Sequence, residues 1–363
     1  MKTKVVFYIF CIIYFALIQI GCNKDEDDDS GVDSGINWIE CSGNDVDETI
    51  YYVSNSGDDE NNGMTEGSAF KTIAKALSTV KPGGAVRILS GVYHESIGLE
   101  SCGSLAAAIS IEGYNATPTL DGENNKPIGL YFEKSNNYIV KNLKIINYTD
   151  IGIGFSLGKD LLLTDLEIAE NGHAVQLKDW ELEGYGIDVD YSENIEISDC
   201  NVYRNGPDPQ IIPNYIMGTG INTYGNTNVL IKNNKSYNNI GGGILVEDSY
   251  DVIVEDNEVY GNDLDASVDE WWDGGLWLDG GANVIVRNNY FHDNLGPGIE
   301  ISDEDKQNPT GYQLIDNIST NNYYGIFIWN FGTNDWPPES VIRREGNDFS
   351  GNSISDVWIV DWF

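Results

Sequence analysis

Basic residues are scarce in this chain: 20 Lys and Arg stand against 58 Asp and Glu in 363 residues, with three His, for a formal net charge of −38. Nothing of that balance can neutralise a phosphate backbone, so nucleic acid is excluded as a partner. A polyanionic substrate would be repelled as well, unless a bound cation screened it. Cysteine is also sparse, at five residues. Cys11 and Cys22 fall within or at the end of an N-terminal apolar run, which leaves Cys41, Cys102 and Cys200. An odd number at scattered spacing argues against a disulfide framework and against a zinc site. Cys200 falls in a strand pattern and reads as a small core residue.

The N-terminal run, "MKTKVVFYIFCIIYFALIQIGC", has two Lys, an apolar stretch and Gly-Cys. That order is a secretory signal; the alternative is an uncleaved membrane helix, since the run nearly suffices to span. A Cys directly after a small residue resembles the lipobox of bacterial lipoproteins, although Gln19 stands where the lipobox carries Leu. The resemblance implies lipidation at Cys22 and a leader over residues 1–22. The following "NKDEDDDSG" resembles the acidic export tag of surface lipoproteins of the Bacteroidota. Together these imply an outer-membrane lipoprotein exposed at the cell surface, with residues 23–48 as an acidic tether.

What is abundant is repetition. "IVKNLKIIN", "LLLTDLEIAEN", "IEISDCNVYRN", "VLIKNNKSYNN", "VIVEDNEVYGN", "VIVRNNYFHDN" and "YQLIDNISTNN" align with one polar residue in register: Asn142, Asp165, Asp199, Asn233, Asp256, Asn288 and Asp316. Six residues after each, Asn171, Asn205, Asn239, Asn262, Asn294 and Asn322 recur, with Tyr148 as the exception. The spacings are 23, 34, 34, 23, 32 and 28 residues, a unit of about 23 with insertions. A second strand follows each: "GIGFS", "GIDVD", "GINTY", "GILVE", "GLWLD", "GIEIS", "GIFIW". Apolar residues alternate in it, as in a strand with one buried face. One such coil cannot bury its apolar side; stacked coils can, with identical residues piling into ladders. The expected fold is all-β, a parallel β-helix over residues 49–363. Near its start, Phe70 to Val80 reads as a helix with Phe70, Ile73, Leu77 and Val80 on one side, suited to cap the open end. The segment from Tyr51, "YYVSNSGDDENNG…SAFKTIAKALSTVKPGGAVRILSGVYHES", resembles the opening of pectate-lyase-like, right-handed β-helix proteins. That resemblance implies the right hand, a single domain and a carbohydrate-related role, but no particular activity.

Insertions locate a cleft. Three coils carry extra residues between the recurring Asn and the second strand, at 172–185, 206–219 and 263–274, whereas the intervening coil has only "IGG". All leave at one corner, so a low coil lies between tall loops. The expected floor is two outward columns: Gly154, Asp188, Asn222, Leu245, Trp277, Glu300, Phe327; and Ser156, Asp190, Tyr224, Glu247, Asp279, Ser302, Trp329. They hold five carboxylates, three aromatic platforms in Tyr224, Trp277 and Trp329, and no Lys or Arg, the surface a neutral sugar needs. A polysaccharide or oligosaccharide is therefore the expected partner of a monomeric protein.

Glu247 and Asp279 occupy one position on adjacent coils, about 4.8 Å apart at the backbone. Close carboxylates divide into a proton-bearing acid and an ionised partner, as glycoside cleavage requires. Glu300, diagonal to Asp279, could replace Glu247. "GLWLDGG" resembles the "WLD" strand of a β-helix glycosidase family. The resemblance implies that Asp279 is a nucleophile; the family's acid position holds Ser302 here, which leaves Glu247 or Glu300 as acid. Asp188, Asp190, Asn222, Tyr224, Trp277 and Trp329 would bind substrate, with Trp271, Trp272, His173 and Lys178 from the insertions. Two readings remain beside glycoside hydrolysis. Asp263, Asp265, Asp269 and Asp273 form an oxygen-only set suited to Ca2+, as a Ca2+-dependent polysaccharide lyase would use, though no Lys base stands in the floor columns. A non-catalytic glycan-binding or adhesive surface protein is the other.

Overall fold

The computed structural model describes residues 35–173, 182–207, 216–264, 273–303, 310–330 and 342–361. Each coil is built from three short strands, for example Ile151–Ser156, Lys159–Thr164 and Glu167–Ala169. Strands pair only with their counterparts in the coils above and below, always in parallel. Three sheets result. The first has 11 strands, from Asn37–Ile39 to Ser355–Asp361; the second also has 11, from Ile50–Val53 to Ile342–Glu345; the third has nine, from Val92–Tyr93 to Ile318–Thr320. Gly35–Phe363 is one compact unit.

The repeated residues explain the turns. Asn142, Asp165, Asp199, Asn233, Asp256, Asn288 and Asp316 all have φ between 52° and 56°. Asn and Asp tolerate this left-handed conformation better than other non-glycine residues, so the chain can bend there from the second sheet into the third. Inside, Ile153, Ile187, Ile221, Ile244, Leu276, Ile299 and Ile326 stack as a column with no exposed surface. The Asn ladder stands at the next bend. The backbone N–H and Nδ2 of Asn205 both donate to Asn239 Oδ1, and Asn239 repeats this onto Asn262. A second ladder, Asn234, Asn257, Asn289, Asn317 and Asn347, occupies the other bend in the same manner. Cys200 continues its column inward and buried, its N–H donating to Asn234 Oδ1.

The N-terminal end is capped, with three differences from expectation. The helix is shorter, Ile73–Leu77, because Phe70 is extended and bridges Val53 while Thr72 terminates the helix by accepting from Lys75 N. Ile73, Ala76 and Leu77 are buried, and the Glu95 carboxylate accepts from the N–H groups of Ile73 and Ala74. Secondly, the tether ends earlier than residue 48: Asn37–Ile39 is a strand paired with Ile97–Leu99. Thirdly, Cys41 and Cys102 form a disulfide. Their spacing concealed it, because only the docking of strand Asn37–Ile39 carries Cys41 back to Cys102; Cys200 is the odd residue. Closing a loop with a separation of 61 residues restricts the unfolded chain, worth about 4 kcal/mol in a chain-entropy account.

Candidate functional site

The outward positions of the first sheet stand in the expected columns. Gly154, Asp188, Asn222, Leu245, Trp277, Glu300 and Phe327 are successive Cα partners. So are Ser156, Asp190, Tyr224, Glu247, Asp279 and Ser302. Register copies sequence alignment because each coil is translated by one strand spacing. Among the described residues, no strand of the first sheet carries Lys, Arg or His; the cations are on the second and third sheets, as with Arg87, Lys141, Lys144, Lys232, Lys235 and Arg287.

The face is not uniform. In its upper part Trp277, Asp279 and Glu300 are 6%, 6% and 3% exposed and Ser302 has no exposed surface. This corrects the open floor expected here. The Trp277 indole N–H donates to Ser302 Oγ at 2.6 Å, and the Ser302 hydroxyl donates to Asp279 Oδ1 at 2.8 Å. Asp279 is thus held inside a short polar chain. The two glycines after it adopt φ of 61° and 68°, and a Cβ on either would strike Asp248 or Ser249 of the preceding coil. Beneath the turn, Tyr312 donates its hydroxyl to Gly280 O. Burial, then the charges of Asp279, Asp303 and Asp248, push its pKa up. Trp329, expected as a platform, is buried edge-on against Phe327.

In the lower part, Asp188, Asp190, Tyr224 and Glu247 are half-exposed. Asn222 Nδ2 donates to Asp188 Oδ1 at 2.7 Å. The Asp190 carboxyl is hydrogen-bonded to Ser156 and to Asp188, and burial outweighs both, raising its pKa to about 6. Two carboxyls in contact hold a proton between them readily, since one ionised neighbour disfavours a second charge. Tyr131 lies against the same group: burial first, then the Asp190 charge, pushes its hydroxyl up to about 12. Tyr131 and Ser156 were not among the residues expected to bind. The signal was available in Gly154, since a glycine at an outward strand position marks close approach of another group. A Cβ there would lie 2.4 Å from the Tyr131 ring.

The insertions depart from one corner. Gly172 and Gly206 directly follow the ladder residues Asn171 and Asn205, and a Cβ on either would meet the returning Gly184 or Gly218. Leu182–Glu183 and Ile216–Met217 pair with each other as the chain returns. His173 is bound to Glu170, Nε2 to Oε2 at 3.4 Å, on the third-sheet side of the corner. At the third insertion Asp263 and Asp273 come together, 0% and 5% exposed. Burial and then the Asp263 charge raise the Asp273 pKa, while the Gly242 N–H lowers it. Two buried carboxylates make an oxygen-only pair whose chemistry fits a hard cation such as Ca2+. Among the described residues no cluster of three Asp, Glu, His or Cys with metal-binding geometry occurs. Asp265, Asp269, Trp271, Trp272, Lys178 and Cys22 lie outside the described residues.

These features define a right-handed parallel β-helix with a carboxylate-lined face. Residues 184–354 match the family described as right handed beta helix region, and residues 112–244 match glycosyl hydrolases family 28. The Bacillus subtilis (strain 168) protein YwoF is 27% identical over 316 residues, covering 76% of this chain and 63% of its own length. This chain therefore spans less than two thirds of that relative. Among solved structures, pectate lyase Pel9A superposes with a TM-score of 0.61 at 16% identity, over 87% of this chain and 79% of that one. The alginate lyase from Paenibacillus sp. str. FPU-7 gives 0.56 at 15% identity, over 78% of this chain and 94% of that one. At these identities the likeness concerns the fold.

Proposed function

We propose that this protein acts on a polysaccharide as a glycoside hydrolase, with Asp190 as the proton-bearing acid. The observation that carries the reading is the Asp188–Asp190 pair, whose Asp190 pKa is raised to about 6 on a sheet whose described strands carry no Lys, Arg or His. The stretch matching glycosyl hydrolases family 28 includes both residues and ends at Ile244, before Glu247, Asp279 and Glu300. Asp190 would protonate the glycosidic oxygen as the C–O bond breaks. Glu247, two coils on in the same column, would activate the water that adds to the sugar carbon. Two strand spacings amount to about 9.6 Å between backbones, which suits inversion at roughly 6.5–9.5 Å between carboxyls. The Asp279 nucleophile implied by the glycosidase-like strand is the competing assignment.

A Ca2+-dependent lyase is the second reading, favoured by the Asp263–Asp273 pair, which would hold the cation that neutralises a uronate. A panel of polysaccharides, with Ca2+ and with EDTA, separates the two. New reducing ends without ultraviolet absorbance are expected, lost in Asp190→Asn and Glu247→Gln and retained in part in Asp279→Asn. Absorbance that EDTA abolishes would install the lyase, and binding without turnover would leave a glycan-binding protein.

We also infer export and lipidation at Cys22, which would place the monomer at the outer membrane facing out. The Cys41–Cys102 disulfide supports this, because such bonds persist in oxidising compartments. Cys22→Ser is expected to move the protein from the membrane fraction to the soluble exported fraction; an unchanged distribution would argue for an uncleaved helix instead. No helix among the described residues is long and apolar enough to cross a membrane.

A further inference from the structure

The first sheet continues below the acid pair into a region that the cleft does not use. Trp38, Gly98, Tyr131, Gly154 and Asp188 are successive Cα partners in one outward column. Aromatic ring and glycine alternate along it, and the glycines explain the rings. A Cβ on Gly98 would lie 2.6 Å from the Trp38 indole, as one on Gly154 would lie 2.4 Å from the Tyr131 ring. Each ring therefore leans forward across the backbone of the next coil, into space that any other residue would fill. The two rings meet edge to face, centroids 6.0 Å apart at 84°. Trp38 is 37% exposed, whereas Ile97 and Leu99, inward on the paired strand, are 0% and 1% exposed. From Trp38 to Asp188 the column covers four strand spacings, about 19 Å.

We infer that Trp38 and Tyr131 pave a track on which an uncharged glycan chain lies along the solenoid axis and is led into the acid pair. The inference rests on the hydrolase reading for what happens at Asp190, and adds the substrate class and the residues that hold it. Sugar rings present flat apolar faces, and a partly exposed indole offers matching surface while the carboxylates and amides of the column take hydroxyl hydrogen bonds. Charge selects against a uronate chain. The strands here bring Glu100 and Glu133 but no cation, and the ammonium of Lys134, which directly follows Glu133, is held by both of those acids. The track also accounts for the disulfide's position. Cys41 follows the strand that carries Trp38 by two residues, and its bond to Cys102 fastens that strand to the coil whose Gly98 receives the ring.

Affinity electrophoresis of the full chain tests this in gels containing galactomannan, xyloglucan, arabinan or, as acidic comparator, polygalacturonate. At least one neutral polymer should retard the wild-type protein. Trp38→Ala should weaken that retardation about two- to twelvefold, the range of one aromatic stacking contact. Trp38→Phe should recover most of it, and Trp358→Ala, a 45% exposed Trp at the far end of the same column, should change nothing. In turnover, Trp38→Ala should raise KM for the polymer and leave kcat alone. Equal retardation of wild type and Trp38→Ala would overturn the track and leave the hydrolase reading intact. Retardation by polygalacturonate alone would overturn the uncharged substrate class. Passage through all four gels unhindered would overturn the track and the hydrolase reading together.

Discussion

Asp190→Asn should cost two to four orders of magnitude in turnover and make the folded protein more stable at neutral pH. The first effect is the usual range for a general acid. The second follows from the sign of its shift. The Asp190 pKa rises from 3.8 to about 6 on folding, so the native state binds its proton more tightly than the unfolded chain. At pH 7 both states are ionised, and the native state carries a cost of about 3 kcal/mol, from 1.36 kcal/mol for each of about two pKa units. That cost is relieved as pH falls from 6 toward 4. An amide has no charge to desolvate and should recover about 1–3 kcal/mol at pH 7, less whatever the Ser156 hydrogen bond loses. Activity should decline tenfold per unit as pH rises beyond about 6, because the acid form is consumed there. The paired measurement is a pH–rate profile with thermal melts at pH 4.5 and 7.5. A variant that keeps wild-type turnover, or one that melts lower at pH 7.5, would remove Asp190 from the acid role.

This trade has a structural origin that the amino-acid order alone conceals. All five floor carboxylates have the same type of neighbour along the chain: a β-branched or leucine residue on one or both sides. Asp190 is set apart by Ser156 in the coil before, by Asp188 two residues back and by the Tyr131 hydroxyl. Ser156 and Asp188 stand in the expected columns, but Tyr131 is not implied by the repeat, because its coil reads "IGLYFE", outside the aligned set. The columns themselves were legible. A parallel solenoid converts sequence alignment into spatial register, so Glu247 opposite Asp279 follows from counting. Exposure does not follow from counting. Trp277 and Asp279 face outward yet are buried, since the pleat decides direction while whatever lies above decides cover. The same limit hid the disulfide: Cys41 reaches Cys102 only because Asn37–Ile39 docks beside Ile97–Leu99, a pairing with no repeat to announce it.

The Asn ladders were only half legible for a related reason, and they carry the largest expected stability effect. One ladder was visible as recurring Asn; the other begins after Leu143, Leu166 and Cys200, so its first steps are not Asn. Both do one physical task. At a bend the backbone leaves its sheet, and its N–H groups lose their ladder partners while remaining buried. Asn262 shows how the side chain replaces them. Its Oδ1 accepts from the N–H and the Nδ2 of Asn239, and its Nδ2 donates to Ser236 O at 3.1 Å and to Asn294 Oδ1 at 3.1 Å. Asn262→Ala removes all four bonds in a site with no exposed surface and takes from the Asn239 N–H its acceptor, while Asn239 Nδ2 keeps Ser236 Oγ and Asn294 Oδ1 keeps the Asn262 N–H. A stranded N–H costs about 1–3 kcal/mol and each further bond lost about 0.5–1.5 kcal/mol, and partial sharing among neighbours brings the total to about 2–6 kcal/mol. Asn262→Asp keeps the acceptor and deletes the donor, so it should fall between wild type and Ala, and should improve as pH rises if the carboxylate accepts both bonds from Asn239. Asn228→Ala supplies the contrast, because its exposed amide bridges only to Asn194 Oδ1; it should lose under about 1 kcal/mol. Urea unfolding of the three variants decides the matter. Similar midpoints for Asn262→Ala and Asn228→Ala would mean that the ladder is a consequence of stacking. Widely separated midpoints would mean that the stack, and with it the register of Asp190 against Glu247, is held by the amides at its bends.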